Sequence, residues 1–285
     1  MDMVLGMVLV LVASGAAFFI GARLTNKSFA PLLALFSLMT AIVHTLFFSD
    51  RLFLAQWFPW SGLVFVVQAL PLPLILLFLL LLWSRLSGTR KERLRLALPL
   101  LCLTLWLTLG GFMGGPPETS TLPHGTDGVV HQTSESSCSA ASAATLLTAA
   151  QLPATETEMA TLCLTRSAGT PMLGVYRGLR HKTEGAKWQV RVLSRANITQ
   201  LQAATLASPV LISVGLDRWQ RGYDPRYITE WGWTPGKRHA VVVFGFLPDG
   251  KLDMGDPSVG REKWSVESLK VLWNGEGVQL VQESK

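Results

Sequence analysis

The stretch that decides the fold of the second half of the chain is Gln-Thr-Ser-Glu-Ser-Ser-Cys-Ser-Ala-Ala-Ser-Ala at residues 132–143. Its cysteine, Cys138, stands directly before a run of small residues, which is typical of a helix buried deep in a core. About a hundred residues later the chain reads Arg-His-Ala-Val-Val-Val at 238–243, and then Gly-Asp-Pro at 255–257. A thiol before a helix, a histidine at the start of an apolar strand and an aspartate on the next strand together predict nucleophilic thiol chemistry.

Each of these side chains has a role in such chemistry. The helix N-terminus is expected to lower the pKa of the Cys138 thiol, and His239, as general base, to form an ion pair with it and then protonate a leaving amine. Asp256 ends the second strand of a predicted hairpin, where its carboxylate would orient the imidazole. The side-chain amide of Gln132, with the backbone N–H of Cys138, would bind the oxyanion of a tetrahedral intermediate, a contact typically worth about 3–4 kcal/mol.

The rest of residues 131–285 predicts an α+β fold, in which helices come first and a mostly antiparallel sheet follows. Small-residue and capping patterns predict helices over Ser139–Ala150, Thr155–Arg166, Gly169–Leu179, Ile198–Leu206 and Ser265–Trp273. Alternating and β-branched residues predict strands over Trp188–Leu193, Pro209–Val214, His239–Phe246, Lys251–Met254 and Val278–Val281. A Pro-Asp-Gly turn makes a hairpin of the third and fourth strands. Residues 115–130, rich in Gly, Pro, Ser and Thr, predict a linker.

Residues 1–114 predict an all-α transmembrane bundle of about four helices. Four apolar stretches of about 17–23 residues carry no internal charge and are long enough to cross about 30 Å of hydrocarbon. They are Met3–Ala22, Phe29–Phe48, Ser61–Trp83 and Ala97–Met113. Pro71 and Pro73 predict a kink in the third stretch, and residues 52–60 predict a broken or re-entrant piece before it. We interpret His44, inside the second stretch, as a packed side chain rather than a functional group.

Composition and charge agree with membrane insertion rather than with nucleic-acid binding. The chain is 49% hydrophobic and 15% charged, with a net charge of +6. The excess of Lys and Arg lies in the first 116 residues, chiefly at 23–27 and 85–95, whereas the rest is nearly neutral and has no basic stripe. The positive-inside rule puts these two loops in the cytoplasm and everything after about residue 115 outside it. The expected partner of the first half is therefore the lipid bilayer.

Residues 131–275 resemble the double-glycine-type bacteriocin-processing cysteine peptidases, a branch of the papain-like superfamily. The matching pieces are Gln132-x5-Cys138 with the Ala-rich helix after it, Gly-Thr-Pro-Met-Leu-Gly at 169–174, His-Ala-Val-Val-Val at 239–243, Asp-Pro-x-x-Gly at 256–260, and Trp264, Leu269 and Trp-Asn-Gly at 273–275. The resemblance implies a papain-like α+β fold with Cys138 as nucleophile and His239 as base. It likewise implies Asp256 as the orienting group, Gln132 as the oxyanion donor, a peptide or protein as substrate, and no cofactor or metal.

Together with the membrane half, this resemblance predicts a multi-pass protein of a bacterial cytoplasmic membrane that hydrolyses peptide bonds on the extracytoplasmic side. The chain departs from the family in two ways. The family usually has Asp-Cys-Gly at the nucleophile, whereas this chain has Ser137-Cys138-Ser139, and Ser137 is expected to cap the helix instead. The family peptidase often precedes the membrane domain of an ABC exporter, whereas the order here is reversed. No Gly-x4-Gly-Lys-Ser/Thr phosphate loop occurs, which excludes ATP-driven export by this chain alone and leaves a separate transporter or secretion partner open.

The sequence leaves two other functions open. The serines around Cys138 motivate a peptide-binding module of the same fold with an impaired site. The same thioester chemistry would also serve acyl transfer to an amine. A disulfide between Cys138 and Cys163 would disable the nucleophile, and Asp253 is a rival to Asp256 as orienting group. The aromatic-rich stretch Trp219–Trp233 predicts a groove wall, a lid packed on the sheet, or a bilayer contact.

A structural metal is not expected, because no CxxC or HxxxH spacing occurs in the sequence. The remaining histidines of the second half are interpreted as surface residues rather than ligands. They are His124, His131 and His181.

Overall fold

The computed structural model of the chain describes residues 1–122 and 125–282. His124, which the sequence predicts at the surface, lies outside the described residues. The chain divides into two compact units. The first holds residues 1–51 and 62–114, and the second holds residues 52–61 and everything from Gly115 onward.

The first half of the chain is helical. Its helices are α1 (Asp2–Leu24), α2 (Ala30–Phe47), α3 (Phe53–Trp57), α4 (Leu63–Ala69), α5 (Pro71–Leu82) and α6 (Arg90–Met113). Among the residues that the structure describes, four helical segments are long and apolar enough to cross a membrane: α1, α2, Leu63–Leu82 and Arg90–Gly110. The third segment is interrupted at Leu70, between α4 and α5, because Pro71 and Pro73 follow there and proline lacks a backbone donor. The four predicted apolar helices are therefore present, and the third is divided at Leu70, just before the prolines for which a kink was predicted.

Small residues and internal hydrogen bonds hold the first unit together. Helix α5 contacts both α1 and α2, and Ala30 and Ala34 of α2 are fully buried. The Ser37 hydroxyl donates to the carbonyl of Leu74 at 2.7 Å, which satisfies a hydroxyl that lipid could not. His44 Nε2 hydrogen-bonds to the carbonyl of Val67, also at 2.7 Å. His44 is thus a packed side chain, as the sequence indicated.

The last helix of this unit begins earlier than predicted. A capping box starts α6: Thr89 Oγ1 accepts from the backbone N–H of Glu92, and Glu92 Oε2 accepts from the backbone N–H of Thr89. The predicted start at Ala97 is therefore wrong, because it followed apolarity and overlooked the cap. The cluster of positive charges lies in the first turns of α6 and not in a loop; it consists of Arg90, Lys91, Arg93 and Arg95.

The second unit has helices followed by an antiparallel sheet. Its helices are α7 (Cys138–Ala149), α8 (Glu156–Leu162), α9 (Met172–Thr183), α10 (Ile198–Thr205), α11 (Arg226–Thr229) and α12 (Val266–Leu272). Its strands are β1 (Trp188–Leu193), β2 (Val210–Val214), β3 (His239–Phe246), β4 (Leu252–Asp256), β5 (Gly260–Trp264) and β6 (Trp273–Gln282). The order β1-β6-β2-β3-β4-β5 is antiparallel throughout. The predicted α+β order is confirmed, whereas β5 and α11 were not predicted.

Two local features of this unit place the site. In the β3–β4 hairpin the start of the first strand lies beside the end of the second, which brings His239 and Asp256 together. The predicted turn closes this hairpin, with the backbone N–H of Leu247 donating to the carbonyl of Lys251 at 2.8 Å. Helix α7 packs on β3, where the Ser142 hydroxyl donates to the carbonyl of Ala240 at 2.8 Å. This contact sets the first turn of α7 against the first residues of β3.

Two segments that are next in sequence to the apolar helices belong to the second unit. Helix α3 contacts β1, and Gln56 Nε2 donates to the carbonyl of Val192 at 3.1 Å. Residues 115–122, which fall in the predicted linker, also form hydrogen bonds to this unit. The backbone N–H of Ser167 donates to the carbonyl of Gly115 at 3.1 Å, and that of Thr157 donates to the carbonyl of Ser120 at 3.2 Å.

Candidate active site

Cys138 is the first residue of α7, at the end of the helix that carries partial positive charge. The helix is made almost wholly of small residues, and nearly all of it is buried, so its axis can pass close to the sheet. Ser137 is the N-cap residue, but its hydroxyl donates to the carbonyl of Ser134 at 2.9 Å and makes no cap hydrogen bond. The expectation that Ser137 caps the helix is therefore wrong, because the hydroxyl is used within the loop that precedes it.

His239, the first residue of β3, bridges the thiol and a carboxylate. Its Nε2 lies 2.8 Å from Asp256 Oδ1. Its ring also lies close enough to Cys138 for the two side chains to shift each other's pKa. Because Nε2 is engaged with Asp256, Nδ1 is the ring nitrogen left for the sulfur. The backbone N–H of Ala240 and the hydroxyl of Ser139 also lower the pKa of the Cys138 thiol.

Asp256 is buried at the end of β4 and is held by its own turn. The same oxygen, Oδ1, accepts from the backbone N–H of Ser258 at 2.7 Å and from the Ser258 hydroxyl at 2.5 Å. Three donors on one oxygen stabilise the ionised carboxylate and fix its direction. Asp253, the rival to Asp256, is paired with Arg261 at 2.5 Å and so has a partner of its own.

Burial and mutual contact act in opposite directions on these three groups. Burial would raise the pKa of the Cys138 thiol, but the hydrogen bond and the charge of His239 outweigh it, so the thiol pKa lies below its ordinary 9.0. Burial would lower the pKa of His239, yet Asp256 and Cys138 raise it from 6.5 to about 10. For Asp256 burial is again opposed, chiefly by His239, and the carboxyl pKa lies below 3.8. Each of the three pKa shifts favours the charged form of its group: the thiolate, the imidazolium and the carboxylate.

Gln132 lines the same cleft as His239 and Asp256, but its hydrogen bonds go to other residues. Its backbone N–H donates to the carbonyl of Pro257 at 2.8 Å, and its Nε2 donates to the carbonyl of Ser134 at 3.0 Å. Its Oε1 is buried and has no hydrogen-bond partner among residues 1–122 and 125–282. An amide nitrogen carries two hydrogens, so one N–H remains as a donor besides the one that binds the carbonyl of Ser134.

A cleft of about 270 Å³ opens in front of His239. The residues that line it come from three loops and the ends of β3 and β4: Gln132, Glu135, Trp231, Gly232, Trp233, Thr234, Lys237, Arg238, His239, Asp256 and Ser258. Cys138, which is only 9% exposed, is not among them. Of the four predicted site residues, Gln132, His239 and Asp256 thus line the cleft. Cys138 interacts with His239 but does not itself line the cleft.

The aromatic-rich stretch before His239 serves as a wall of this cleft. The ring of Trp233 packs edge-on to the ring of His239, with centroids 6.2 Å apart, and edge-on to Trp264 at 5.9 Å. Trp231 also lines the cleft, whereas Trp219 is 85% exposed. Of the three alternatives for this stretch, a groove wall fits residues 231–234, and packing on the sheet side fits Trp233.

Sequence reasoning missed several side chains that support the site. Ser258 follows Asp256 by two residues, a spacing typical of an Asx turn, so this one had a local signal. Ser142 and Glu156 act through hydrogen bonds to distant segments, and no sequence pattern points to them. Glu262 on β5 has a raised pKa, chiefly from burial, and interacts electrostatically with Asp256 and His239.

The other cysteines, and the other histidines that the structure describes, take no part in this site. All three cysteines are free, so the disulfide between Cys138 and Cys163 does not form. Cys163 is fully buried, and burial raises its pKa to about 12, which makes it a poor nucleophile. His131 is half-exposed, 3.9 Å from Asp127. No group of three or more potential metal ligands occurs in the described part of the chain.

No protein-family model matches the chain, and neither does any curated protein. Among solved structures, a protein from Bacillus anthracis described as a C39-like peptidase is 15% identical, with a TM-score of 0.44 over 57% of this chain and 100% of its own. The peptidase domain of Streptococcus ComA, a bifunctional ABC transporter involved in quorum sensing, is 20% identical, with a TM-score of 0.41 over 54% and 98%. A double-glycine-motif protease from an AMS/PCAT transporter, solved with its leader peptide, is 18% identical, with a TM-score of 0.41 over 54% and 91%. Each TM-score is below 0.5 and each identity below 25%, so these likenesses do not by themselves establish a shared fold or activity.

Proposed function

We propose that the chain is a membrane-anchored cysteine peptidase that hydrolyses peptide bonds of a peptide or protein on the extracytoplasmic side of the membrane. The observation that carries this proposal is the position of His239 between two groups: its Nε2 lies 2.8 Å from Asp256 Oδ1, and its ring interacts with the thiol of Cys138 at the start of a buried helix. This is the arrangement that generates a thiolate, holds the conjugate imidazolium and orients the ring. The four apolar helices support the anchoring part of the proposal.

In the first half of the reaction the Cys138 sulfur attacks the carbonyl carbon of the scissile bond. The C–N bond then breaks as His239 transfers its proton to the leaving nitrogen, which departs as an amine and leaves an acyl thioester on Cys138. Asp256 accepts the hydrogen bond from Nε2 throughout, so the ring keeps the orientation that directs Nδ1 towards the sulfur.

Gln132 is the proposed oxyanion donor, together with the backbone N–H of Cys138. The carbonyl of Ser134 holds one hydrogen of the Gln132 amide, and the second is free to meet a negative oxygen. Because Gln132 lines the cleft, a substrate carbonyl there lies within its reach. Removing such a donor typically costs about 10²–10³ in kcat.

In the second half of the reaction water attacks the thioester. His239 takes a proton from the water, a carboxylic acid is released, and Cys138 recovers its thiolate with the imidazolium beside it. An amine in place of water would give acyl transfer by the same steps, and an inert Cys138 would leave a peptide-binding module.

A Cys138-dependent product is the test of this proposal. The full chain in detergent micelles is incubated with a proteome-derived peptide library in H₂¹⁸O, and new termini are read by mass spectrometry. We expect cleavage products carrying ¹⁸O at their new carboxyl ends, abolished in Cys138→Ala and in His239→Ala but kept in Cys102→Ala.

Three other results would contradict or change the proposed function. Products that persist in Cys138→Ala would contradict the peptidase proposal. Amine adducts without ¹⁸O would favour acyl transfer. A folded protein with no products and a Cys138 that resists iodoacetamide would favour the binding module.

A further inference from the structure

Glu156, the first residue of α8, is a carboxylate that the proposed reaction does not use, although it is fully buried. A buried carboxylate is costly unless hydrogen bonds compensate for its lost hydration. Three donors do so here. The backbone N–H of Thr133 donates to Oε1 at 2.8 Å, the Thr133 hydroxyl donates to Oε2 at 2.6 Å, and the backbone N–H of Ser120 donates to Oε2 at 2.7 Å.

The donors come from two segments that are distant in sequence from α8. Thr133 directly follows Gln132, in the loop that leads to Cys138. Ser120 belongs to the segment that follows the last membrane-length helix. That segment makes a further contact with α8: the Thr157 hydroxyl donates to the hydroxyl of Thr119 at 3.0 Å. One carboxylate therefore joins the segment that leaves the membrane helices to the loop that presents Gln132.

Gln132 is held on both sides by these contacts. Its own N–H donates to the carbonyl of Pro257, in the turn that carries Asp256. On the other side its neighbour Thr133 is bound by two hydrogen bonds to Glu156. Catalytic donors must be held within about 0.5 Å of the productive position, and that precision comes from such supporting contacts. Without Glu156 the residue next to Gln132 would lose both of its hydrogen bonds to α8, while the Pro257 contact and the hydrogen bonds within the loop would remain.

We propose that Glu156 is a positioning residue that fixes the Gln132 amide for oxyanion binding, and that the segment 115–122, through Ser120, is part of this support. The inference rests on the peptidase function proposed above. It assigns to a segment next to the membrane helices a role in the chemistry of the site and not only in tethering.

Glu156→Gln in the full chain is the decisive variant. Each oxygen of Glu156 accepts from a backbone N–H, so an amide NH₂ at either position meets a donor and loses that contact. We expect kcat for Cys138-dependent cleavage to fall about 10- to 100-fold with KM little changed, because the lost contact acts in the transition state. In a Gln132→Ala background the same variant is expected to cost less than about 3-fold, since the donor it positions is already gone.

Glu158→Gln is the matched control. It changes a carboxylate that pairs with Lys182 at 2.6 Å and that, two positions after Glu156, lies on another face of the same helix, and we expect activity to stay unchanged. Thr133→Val, which removes only the hydroxyl donor, is a milder variant should Glu156→Gln not fold. Its smaller loss of kcat is likewise expected to vanish in the Gln132→Ala background.

Equal losses in both backgrounds would assign Glu156 a purely structural role and overturn the inference. So would wild-type kcat in both Glu156→Gln and Thr133→Val. Activity that survives Cys138→Ala would instead overturn the proposed function, and this inference with it.

Discussion

At the scale of the residue, the charges of the candidate site depend on one another. Burial alone pushes each of Cys138, His239 and Asp256 towards its neutral form, and the contacts among them, aided by Ser258 at Asp256 and by Ala240 and Ser139 at Cys138, reverse that direction. The charged state is therefore cooperative, and removing one member should return the pKa values of the others towards those of buried, isolated groups.

Asp256→Asn tests this dependence. Without the carboxylate the pKa of His239 falls, and Cys138 loses the positive charge that stabilises its thiolate. We expect peptidase activity to drop by about 10³- to 10⁴-fold. Asp253→Asn, on the same strand and paired with Arg261, is the control and should retain most of the activity. Equal activity in the two variants would contradict the role given to Asp256.

The raised pKa of His239 also predicts how stability depends on pH. The folded pKa of about 10 lies above the ordinary 6.5, so the stabilising contribution is complete below about pH 6.5 and is lost as pH rises towards 10. The lowered pKa of Asp256 keeps that contribution in place above about pH 3.8.

We expect the difference in Tm between the Cys138→Ala protein and its His239→Ala derivative to be largest near pH 5–6.5 and to shrink above it. The Cys138→Ala background keeps the thiol from titrating, and Asp256 still raises the pKa of the imidazole there. Thermal unfolding in detergent across this range measures the difference. A gap that widens towards pH 10 would show that the histidine is not held as its cation.

The sequence predicted which residues of the site would meet, because the hairpin turn and the helix start are local signals. It could not predict Glu156 or Ser142, whose partners are set by the tertiary fold. Nor could it predict that Ser137 would turn its hydroxyl to Ser134, since a serine before a helix can serve the cap or the loop equally well.

At the scale of the element, close packing of α9 depends on glycine. A Cβ at Gly178 would overlap the sulfur of Cys163, and one at Gly174 would overlap the Cys163 carbonyl oxygen. Helix α9 therefore lies against the end of α8 through two glycines one turn apart, which allows its backbone to approach closely. This contact helps to fix the helical layer on which α7 rests.

Gly178→Ala is expected to destabilise the second unit by about 1–3 kcal/mol. The overlap with a fully buried sulfur outweighs the gain of about 1 kcal/mol in helix propensity. Gly245→Ala, in β3, is the control, because a Cβ there meets no described atom within 4 Å. Chemical unfolding followed by Trp fluorescence compares the two. A Gly178→Ala protein as stable as the wild type would contradict the close packing.

Elements with strong patterns were predicted well, and those with weak patterns were not. The apolar, β-branched β2 and β3 and the small-residue α7 appear close to their predicted bounds. Strand β5 was missed because its sequence, Gly-Arg-Glu-Lys-Trp, has three consecutive charged residues and no apolar run. Helix α11 is a single turn, too short for any periodicity to appear.

At the scale of the whole molecule, the number of crossings decides on which side the site lies. Helix α3 and the residues after Gly115 belong to the same unit. Two membrane-length segments, Leu63–Leu82 and Arg90–Gly110, separate them in the sequence. If both segments cross the membrane, the chain returns to the side on which α3 lies. A count of four spans is therefore consistent with α3 and the residues after Gly115 belonging to one unit. With the positive-inside rule, the basic first turns of α6 lead us to propose the extracytoplasmic side for the second unit.

Reporter fusions test that orientation. Alkaline phosphatase, which is active only outside the cytoplasm, should be active when fused after Lys285 or inserted at Trp57, and inactive when inserted at Gly88. A fluorescent protein that matures only in the cytoplasm should give the opposite pattern. Phosphatase activity at Gly88 without activity at Lys285 would invert the predicted topology.

The reactivity of Cys138 as a function of pH is the most direct measure of the central claim. The full chain is alkylated with iodoacetamide between pH 5 and 10, and peptide mass spectrometry follows Cys138, Cys102 and Cys163 separately. We predict that Cys138 reacts with an inflection clearly below the ordinary thiol pKa of 9.0, and that His239→Ala shifts this inflection upward. A Cys138 that titrates at or above 9.0, unchanged by His239→Ala, would contradict the thiolate–imidazolium pair on which the proposed function depends.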